Sequence, residues 1–197
     1  MNIPLLLFGC LTLFLILRVP IGISLGMATL VIYWVTGERF ESLALSYYDG
    51  LDRFPFLAVP MFLLAGALIE RGGISRRLIS VSDCFVGNVR GGLAHVTILS
   101  CMLFSAISGS GPATTAAVGG TMIPTMIRRN YDRNYSAAVA ACGGTLGILI
   151  PPSIALIVYG VSADESITRL FVAGFLPGLI LGIMLMCCAT LMARLKT

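Results

Sequence analysis

From Gly91 to Ile127 the chain contains no Asp, Glu, Lys or Arg, and charged residues make up only 11% of its 197 positions. Poverty of charge on this scale, with 57% hydrophobic residues and a mean hydropathy of +0.97, excludes an ordinary soluble domain. Other absences narrow the class further. Residues 1–17 hold no Lys or Arg, so there is no cationic n-region of a signal peptide, and Ile3–Leu17 reads as a retained membrane segment. The six cysteines (Cys10, Cys84, Cys101, Cys142, Cys187 and Cys188) show no metal-ligand spacing. They read as reduced residues packed in apolar segments. No basic stripe interleaved with exposed aromatics is present, so the chain has no nucleic-acid partner.

The formal charge of +4 comes from 13 Lys and Arg against 9 Asp and Glu, and the cations cluster in short loops between apolar runs. Their distribution predicts topology. Arg71–Arg90 holds four arginines and one acid, Asp83; Arg128–Arg133 holds three arginines and one acid, Asp132. With Arg194 and Lys196, these segments are expected on the cytoplasmic face. Glu38–Arg53, with two arginines and four acids, and Val161–Arg169, with one arginine and two acids, are expected outside. Tracing backwards places Arg18 inside and the N-terminus outside.

The uncharged stretch from Gly91 to Ile127 is too long for one span. As a single helix its 37 residues would measure about 55 Å, against a hydrocarbon core of about 30 Å. Arginines flank it on both sides (Arg90, then Arg128-Arg129), so entry and exit share a face. Ser108-Gly109-Ser110-Gly111-Pro112 at its centre cannot continue a helix comfortably. A re-entrant helical hairpin with a hydroxyl-rich tip is expected, a backbone that lipid tolerates only where it lines a cavity. A second break is expected within Asn134–Ala163, where Gly143–Ser153 carries three glycines and Pro151-Pro152. The spacing predicts a helix to about Cys142, an unwound crossing, and a half-helix from near Pro152.

Half-helices that begin inside a membrane offer free N–H groups and a positive dipole end to a carboxylate. Half-helices that end there, near Ile107 or Cys142, offer carbonyl oxygens to a small cation. Ser108, Ser110, Thr114, Thr115, Thr145 and Ser153 add hydroxyls. Secondary transporters build ion and substrate sites near the midplane in this way. Within Gly91–Ala163 the only proton carriers are His95 and Asp132, which favours sodium over proton coupling. His95 itself reads better as a packed residue. Small-residue runs such as Thr114–Gly120 read equally well as helix-packing surfaces. An enzyme is not expected: Gly109-Ser110-Gly111 suggests a serine nucleophile only until one notes that the sole histidine precedes it by fifteen residues, with no acid nearby.

The organisation expected is one membrane domain over 1–197. It comprises scaffold spans and an interfacial arm (1–70), a cytoplasmic amphipathic segment (71–90), the hairpin (91–127), a broken helix (134–163) and a final span (170–193). The fold class is an all-α polytopic membrane protein, one repeat of an inverted-repeat ion-transporter fold with a re-entrant hairpin and a discontinuous transmembrane helix.

At Ser108–Gly119 (SGSGPATTAAVG), followed by Gly143–Ser153 (GGTLGILIPPS), the sequence resembles the large membrane subunit of tripartite ATP-independent periplasmic (TRAP) transporters, the DctM family. Arg18–Gly22 (RVPIG) and Pro60–Gly66 (PMFLLAG) are similar to that family too. The resemblance implies a sodium-driven carrier in a bacterial inner membrane. Its implied partners are a small four-helix membrane subunit and a periplasmic substrate-binding protein; its implied substrates are small organic acids such as C4-dicarboxylates, 2-oxo acids and sialic acids. Sodium is the coupling ion, and no other cofactor or metal is implied. Carried over by position, Ser108, Gly109, Ser110 and Gly111 with Gly147, Leu149 and Pro152 form a sodium site. Ser110, Thr145 and Ser153 contact substrate. The family's large subunit has two inverted repeats, and this chain matches the first; a second repeat, on the same or another polypeptide, is the remaining implied partner. The 197 residues alone are expected to insert without catalysing coupled uptake. The competing readings are a binding-protein-independent anion symporter of similar architecture and a truncated, non-transporting membrane protein.

Overall fold

A computed structural model describes residues 2–89 and 91–195, without the side chains of Glu70 and Leu195. Arg90 and Lys196, both used in the charge argument, lie outside the described residues. Every regular element among those described is helical. Contacts divide the chain into two units, Met1–Arg53 and Phe54–Thr197.

The first unit holds α1 (Ile3–Ile16), α2 (Ile21–Thr36) and α3 (Phe40–Leu51), with α1 packed on α2. Pro4 lies in the first turn of α1, and Pro20 precedes the first residue of α2, where a missing N–H costs nothing. Gly37, at φ 72°, terminates α2. Only Ser24, Ala28 and Leu43 are buried in these helices, whereas Leu5 and Trp34 are each 76% exposed. Apolar surface on this scale suits helices that face lipid.

The second unit is organised around a helical hairpin. After a 3-10 turn (Phe54–Leu57) come α4 (Ala58–Arg71), α5 (Ile74–Val86), α6 (Gly92–Ser108) and α7 (Gly111–Arg128). Then follow α8 (Arg133–Gly144), the single turn α9 (Leu146–Leu149), α10 (Ile154–Ser162) and α11 (Ile167–Leu195). That α7 returns along α6 is shown at both ends of the pair. Ser108 meets Thr114 near the tip, and Thr97 reaches the Met126 sulfur at 3.6 Å near the base.

The hairpin is clad on two sides. On one, Ala94, Ile98 and Met126 cluster with Val139, Leu146, Ile150 and Ala189 from α8, α9, the crossing and α11. On the other, Val96, Phe104, Val118 and Met122 pack against Ile69 of α4 and Leu78, Ile79 and Val86 of α5. The amphipathic segment expected over 71–90 is therefore largely helical, with the apolar stripe of α5 laid on the hairpin. His95, only 5% exposed, ties α6 to α11: its Nδ1 lies 3.1 Å from the Gly91 carbonyl and its Nε2 2.9 Å from Thr190 Oγ1. It is a packed residue.

Among the described residues α11 alone is long and apolar enough to cross a membrane unaided, with Pro177 inside it. Arg133–Leu149 and Ile154–Ser162 meet the same test as a pair bent by 42°. Gly174, Gly178 and Gly182, four residues apart, form the stripe through which α11 approaches Leu149, Ile150 and Met102. The remaining faces of α11 expose Val172, Phe175, Leu176 and Ile183.

Candidate ion and substrate site

The two helix breaks meet. Gly109 ends α6 in the left-handed conformation (φ 60°), which spares the Cβ penalty that other residues would incur there. Ser110 then adopts an extended conformation and caps α7, its Oγ accepting from Ala113 N–H at 3.5 Å. At the crossing, Ile150 is extended, the Pro151–Pro152 bond is cis, and Ser153 caps α10 by accepting from Leu156 N–H at 3.4 Å. Between these breaks a backbone hydrogen bond runs from Ile154 N–H to the Gly109 carbonyl at 3.0 Å. The tip is docked on the crossing.

Glycine makes the approach possible. A Cβ at Gly147 would stand 2.8 Å from the Ser110 carbonyl oxygen and 2.9 Å from Gly111 N; one at Gly109 would stand 2.7 Å from the Pro152 carbonyl oxygen. A Cβ at Gly144 would collide with the Thr115 hydroxyl. These glycines are close-approach positions. That revises one expectation: α8 runs to Gly144 and α9 resumes at Leu146, so the unwound segment is Ile150–Ser153, later than the glycine-rich stretch suggested. Gly143 and Gly144 remain helical because their missing side chains serve packing against Cys101 and Thr115.

The hydroxyls at the tip form a closed circuit. Ser110 N–H donates to Ser108 Oγ at 3.4 Å, and Thr114 Oγ1 donates to the Ser110 carbonyl at 2.8 Å. Thr114 has one proton and gives it to that carbonyl, so the 3.0 Å contact between Ser108 Oγ and Thr114 Oγ1 has Ser108 as donor. Both side chains are buried, Ser108 with 2% exposure. The circuit orients the hydroxyl oxygens without any ionised side chain.

The helical ladder stops in the same place. α6 ends at Ser108 and α9 at Leu149, and neither Pro112 nor Pro151 has an N–H to offer the carbonyls of Ser108 and Gly147, four residues earlier. The corresponding carbonyl before Pro152, that of Ile148, accepts from Ser153 Oγ at 2.7 Å instead. Two helix N-termini, those of α7 and α10, also begin at the junction and bring positive dipole ends to it. Chemically the junction offers neutral oxygens for a small hard cation beside N–H groups for an anion.

Of the residues singled out in the sequence, Ser108, Gly109, Ser110, Gly111, Gly147, Pro152 and Ser153 lie at this junction. The Leu149 carbonyl is turned the other way, its oxygen 2.8 Å from where a Cβ of Gly174 on α11 would stand. Thr145 is exposed and donates to the Cys142 carbonyl of its own helix at 2.6 Å. Two participants escaped the sequence-level site: Ile154, which holds Gly109, and Gly66, whose Cβ position lies 3.7 Å from Ser108 Cβ; Thr114, one of the hydroxyls named from the sequence, closes the circuit. Gly66 belongs to the PMFLLAG segment, so the motif was visible but its partner was not.

Comparison with known proteins places the chain in a family. The chain is 46% identical over 181 residues to the isethionate TRAP transporter permease protein DctMQ of Oleidesulfovibrio alaskensis, covering 91% of this chain and 28% of that protein. It is 45% identical over 174 residues to the C4-dicarboxylate TRAP transporter large permease protein DctM of Pseudomonas aeruginosa, covering 88% and 41%. To the sialic acid TRAP transporter permease protein SiaT of Haemophilus influenzae it is 40% identical over 169 residues, covering 85% and 27%. The chain thus spans less than half the length of each of these relatives. The model of the family described as "Tripartite ATP-independent periplasmic transporter, DctM component" matches residues 8–197, and the chain belongs to that family of transporter permeases.

Proposed function

We propose that this chain forms the first half of the membrane permease of a sodium-coupled carrier that imports small organic acids. The observation that carries the reading is the junction itself. A hairpin tip without ionisable side chains is hydrogen-bonded to a helix break, with two helix ends and two helix N-termini beside it. In this reading sodium is held by carbonyl and hydroxyl oxygens of Ser108–Gly111 and of the crossing at Gly147 and Pro152, while Leu149, whose carbonyl faces Gly174 of α11, takes no part. The substrate carboxylate meets Ser110, Ser153 and Thr145 near the starts of α7 and α10. Sodium favours the geometry that presents those N–H groups, which couples the two ligands.

The carrier works in the bacterial inner membrane with a periplasmic binding protein, a small four-helix subunit and a second, inverted repeat that closes the cavity. The N-terminus is periplasmic, the hairpin enters from the cytoplasm, and the end of α11 is cytoplasmic. The test is uptake of organic acids into proteoliposomes that contain this chain, the second repeat and both partners, with and without a sodium gradient. Equal uptake in the two conditions removes sodium from the reading. A cysteine placed at Asn130, in a background without native cysteines, is expected to resist an impermeant thiol reagent added to intact cells, whereas one at Ser166 is expected to label. Labelling of Asn130 from outside reverses the hairpin.

A further inference from the structure

On the face of the hairpin covered by α4 and α5, away from the tip, lies a cavity of ≈ 410 Å³. Arg71 at the end of α4 and Ser75 and Arg76 in the first turn of α5 line one wall; Ala116, Gly120 and Thr121 of α7 line the other. The small residues of α7 leave its floor open. Neither guanidinium makes a hydrogen bond or ion pair among the described residues. Ser75 is only 6% exposed, yet its Oγ has no partner among them either. A buried hydroxyl without a partner costs about 1–3 kcal/mol. The start of α5 lies at the same cavity: Gly73, which caps it without a side-chain hydrogen bond, is one of the lining residues.

We propose that this cavity is a phosphate-binding site, distinct from the ion and substrate junction. Two guanidiniums, a hydroxyl and helix-start N–H groups exceed what the two oxygens of one carboxylate can accept. The three or four oxygens of a phosphate match them. Residues 70–77 carry three arginines and one acid, Glu70, so the segment has a net charge that suits an anion. Along α7, Ala116–Thr121 lie roughly 8–15 Å from the first residue Gly111. Half a hydrocarbon core is about 15 Å, so with the tip at the midplane the cavity opens near headgroup depth. Phospholipid headgroups and soluble phosphate share this chemistry, and the experiment separates them.

The full chain, purified in a mild detergent and stripped of lipid, is titrated with phosphatidylglycerol in mixed micelles and bound lipid is read by native mass spectrometry. Diacylglycerol, which shares the chains but lacks the phosphate, is the control; inorganic phosphate is titrated separately, and its bound form is read by the same method. Phosphatidylglycerol is expected to bind and diacylglycerol not. Arg71→Gln and Arg76→Gln are each expected to weaken binding about fivefold. Arg77→Gln, an equal loss of charge on α5 outside the cavity lining, is expected to leave it within about twofold. Binding of inorganic phosphate with the same variant pattern, without lipid binding, retains the site and assigns it a soluble ligand. Equal losses in all three arginine variants mean bulk electrostatics and overturn the proposal, as does the absence of binding by either phosphate probe. Ser75→Ala keeps the test decisive should an arginine variant fold poorly: it preserves packing, and full affinity in that variant also overturns the site.

Discussion

The two breaks in the helical ladder use similar parts, yet one reverses the chain and the other only bends it. At the tip, Gly109 takes a positive φ, Ser110 extends, and α7 returns along α6. At the crossing, Ile150 to Ser153 carry the chain onward through two prolines, and α10 leaves at 42° from the helix before it. The tip also holds itself. Its hydroxyl circuit closes within Ser108–Thr114, whereas the crossing adds to its own bond, Ser153 Oγ to the Ile148 carbonyl, contacts from elsewhere: Gly109 bonds Ile154, and the glycine stripe of α11 presses on Leu149 and Ile150. The difference teaches that the tip closes locally, whereas the crossing also depends on tertiary contacts. In the proposed function, a ligand between them would read the relative position of the hairpin and the broken helix.

The comparison breaks most severely at the point where the two meet. Gly147→Leu places a side chain against backbone atoms of Ser110 and Gly111 that cannot rotate away. Its cost is expected at ~3 kcal/mol, with sodium-dependent uptake abolished while membrane insertion persists. Thermal unfolding in detergent and uptake in the completed transporter measure the two effects. Retention of normal uptake would show that tip and crossing need not touch. Gly109→Ala is expected next, at ~2 kcal/mol, because it combines a strained φ with a Cβ 2.7 Å from the Pro152 carbonyl oxygen.

Ser108→Ala tests the self-held tip. Removing the hydroxyl leaves Thr114 Oγ1 without its donor and should destabilise the protein by about 1–2 kcal/mol. The half-saturating sodium concentration should rise several-fold, read from initial uptake rates across a sodium series. An unchanged half-saturation with an unchanged maximal rate moves the ion elsewhere. The smallest effect belongs to Thr145→Ala. Its exposed hydroxyl bonds only its own helix, so stability should move by less than ~0.5 kcal/mol. Any change should appear in the KM for the organic acid, and a change in sodium dependence instead would reassign Thr145 to the ion.

Much of the fold was legible in order and length. Charge-free runs too long for one span marked the hairpin and the broken helix, and Pro112 and Pro152 marked where new helices begin, at Gly111 and Ile154. The glycines misled, because glycine signals two different things. At Gly109 it permits a backbone angle; at Gly143, Gly144 and Gly147 it permits a neighbour. Only the first is a local property that spacing can express. The site was legible in residue type, since an uncharged polar tip with missing N–H groups is a one-dimensional pattern. Its closure by Ile154 and Gly66 was not, because those contacts depend on how separate helices dock.

By itself, the order of residues determined the all-helical class, the membership in the DctM component family and the two places where helices stop. Each follows from local chemistry: the hydropathy of a run, the missing proline N–H, the serine that caps. Tertiary structure alone decided that the two breaks meet at 3.0 Å through Gly109 and Ile154, that Leu149 turns its carbonyl to α11, and that two arginines and a buried serine border one cavity on the hairpin's other face. Those facts depend on close packing between helices distant in the chain, where the absence of a single Cβ sets how near two backbones can come.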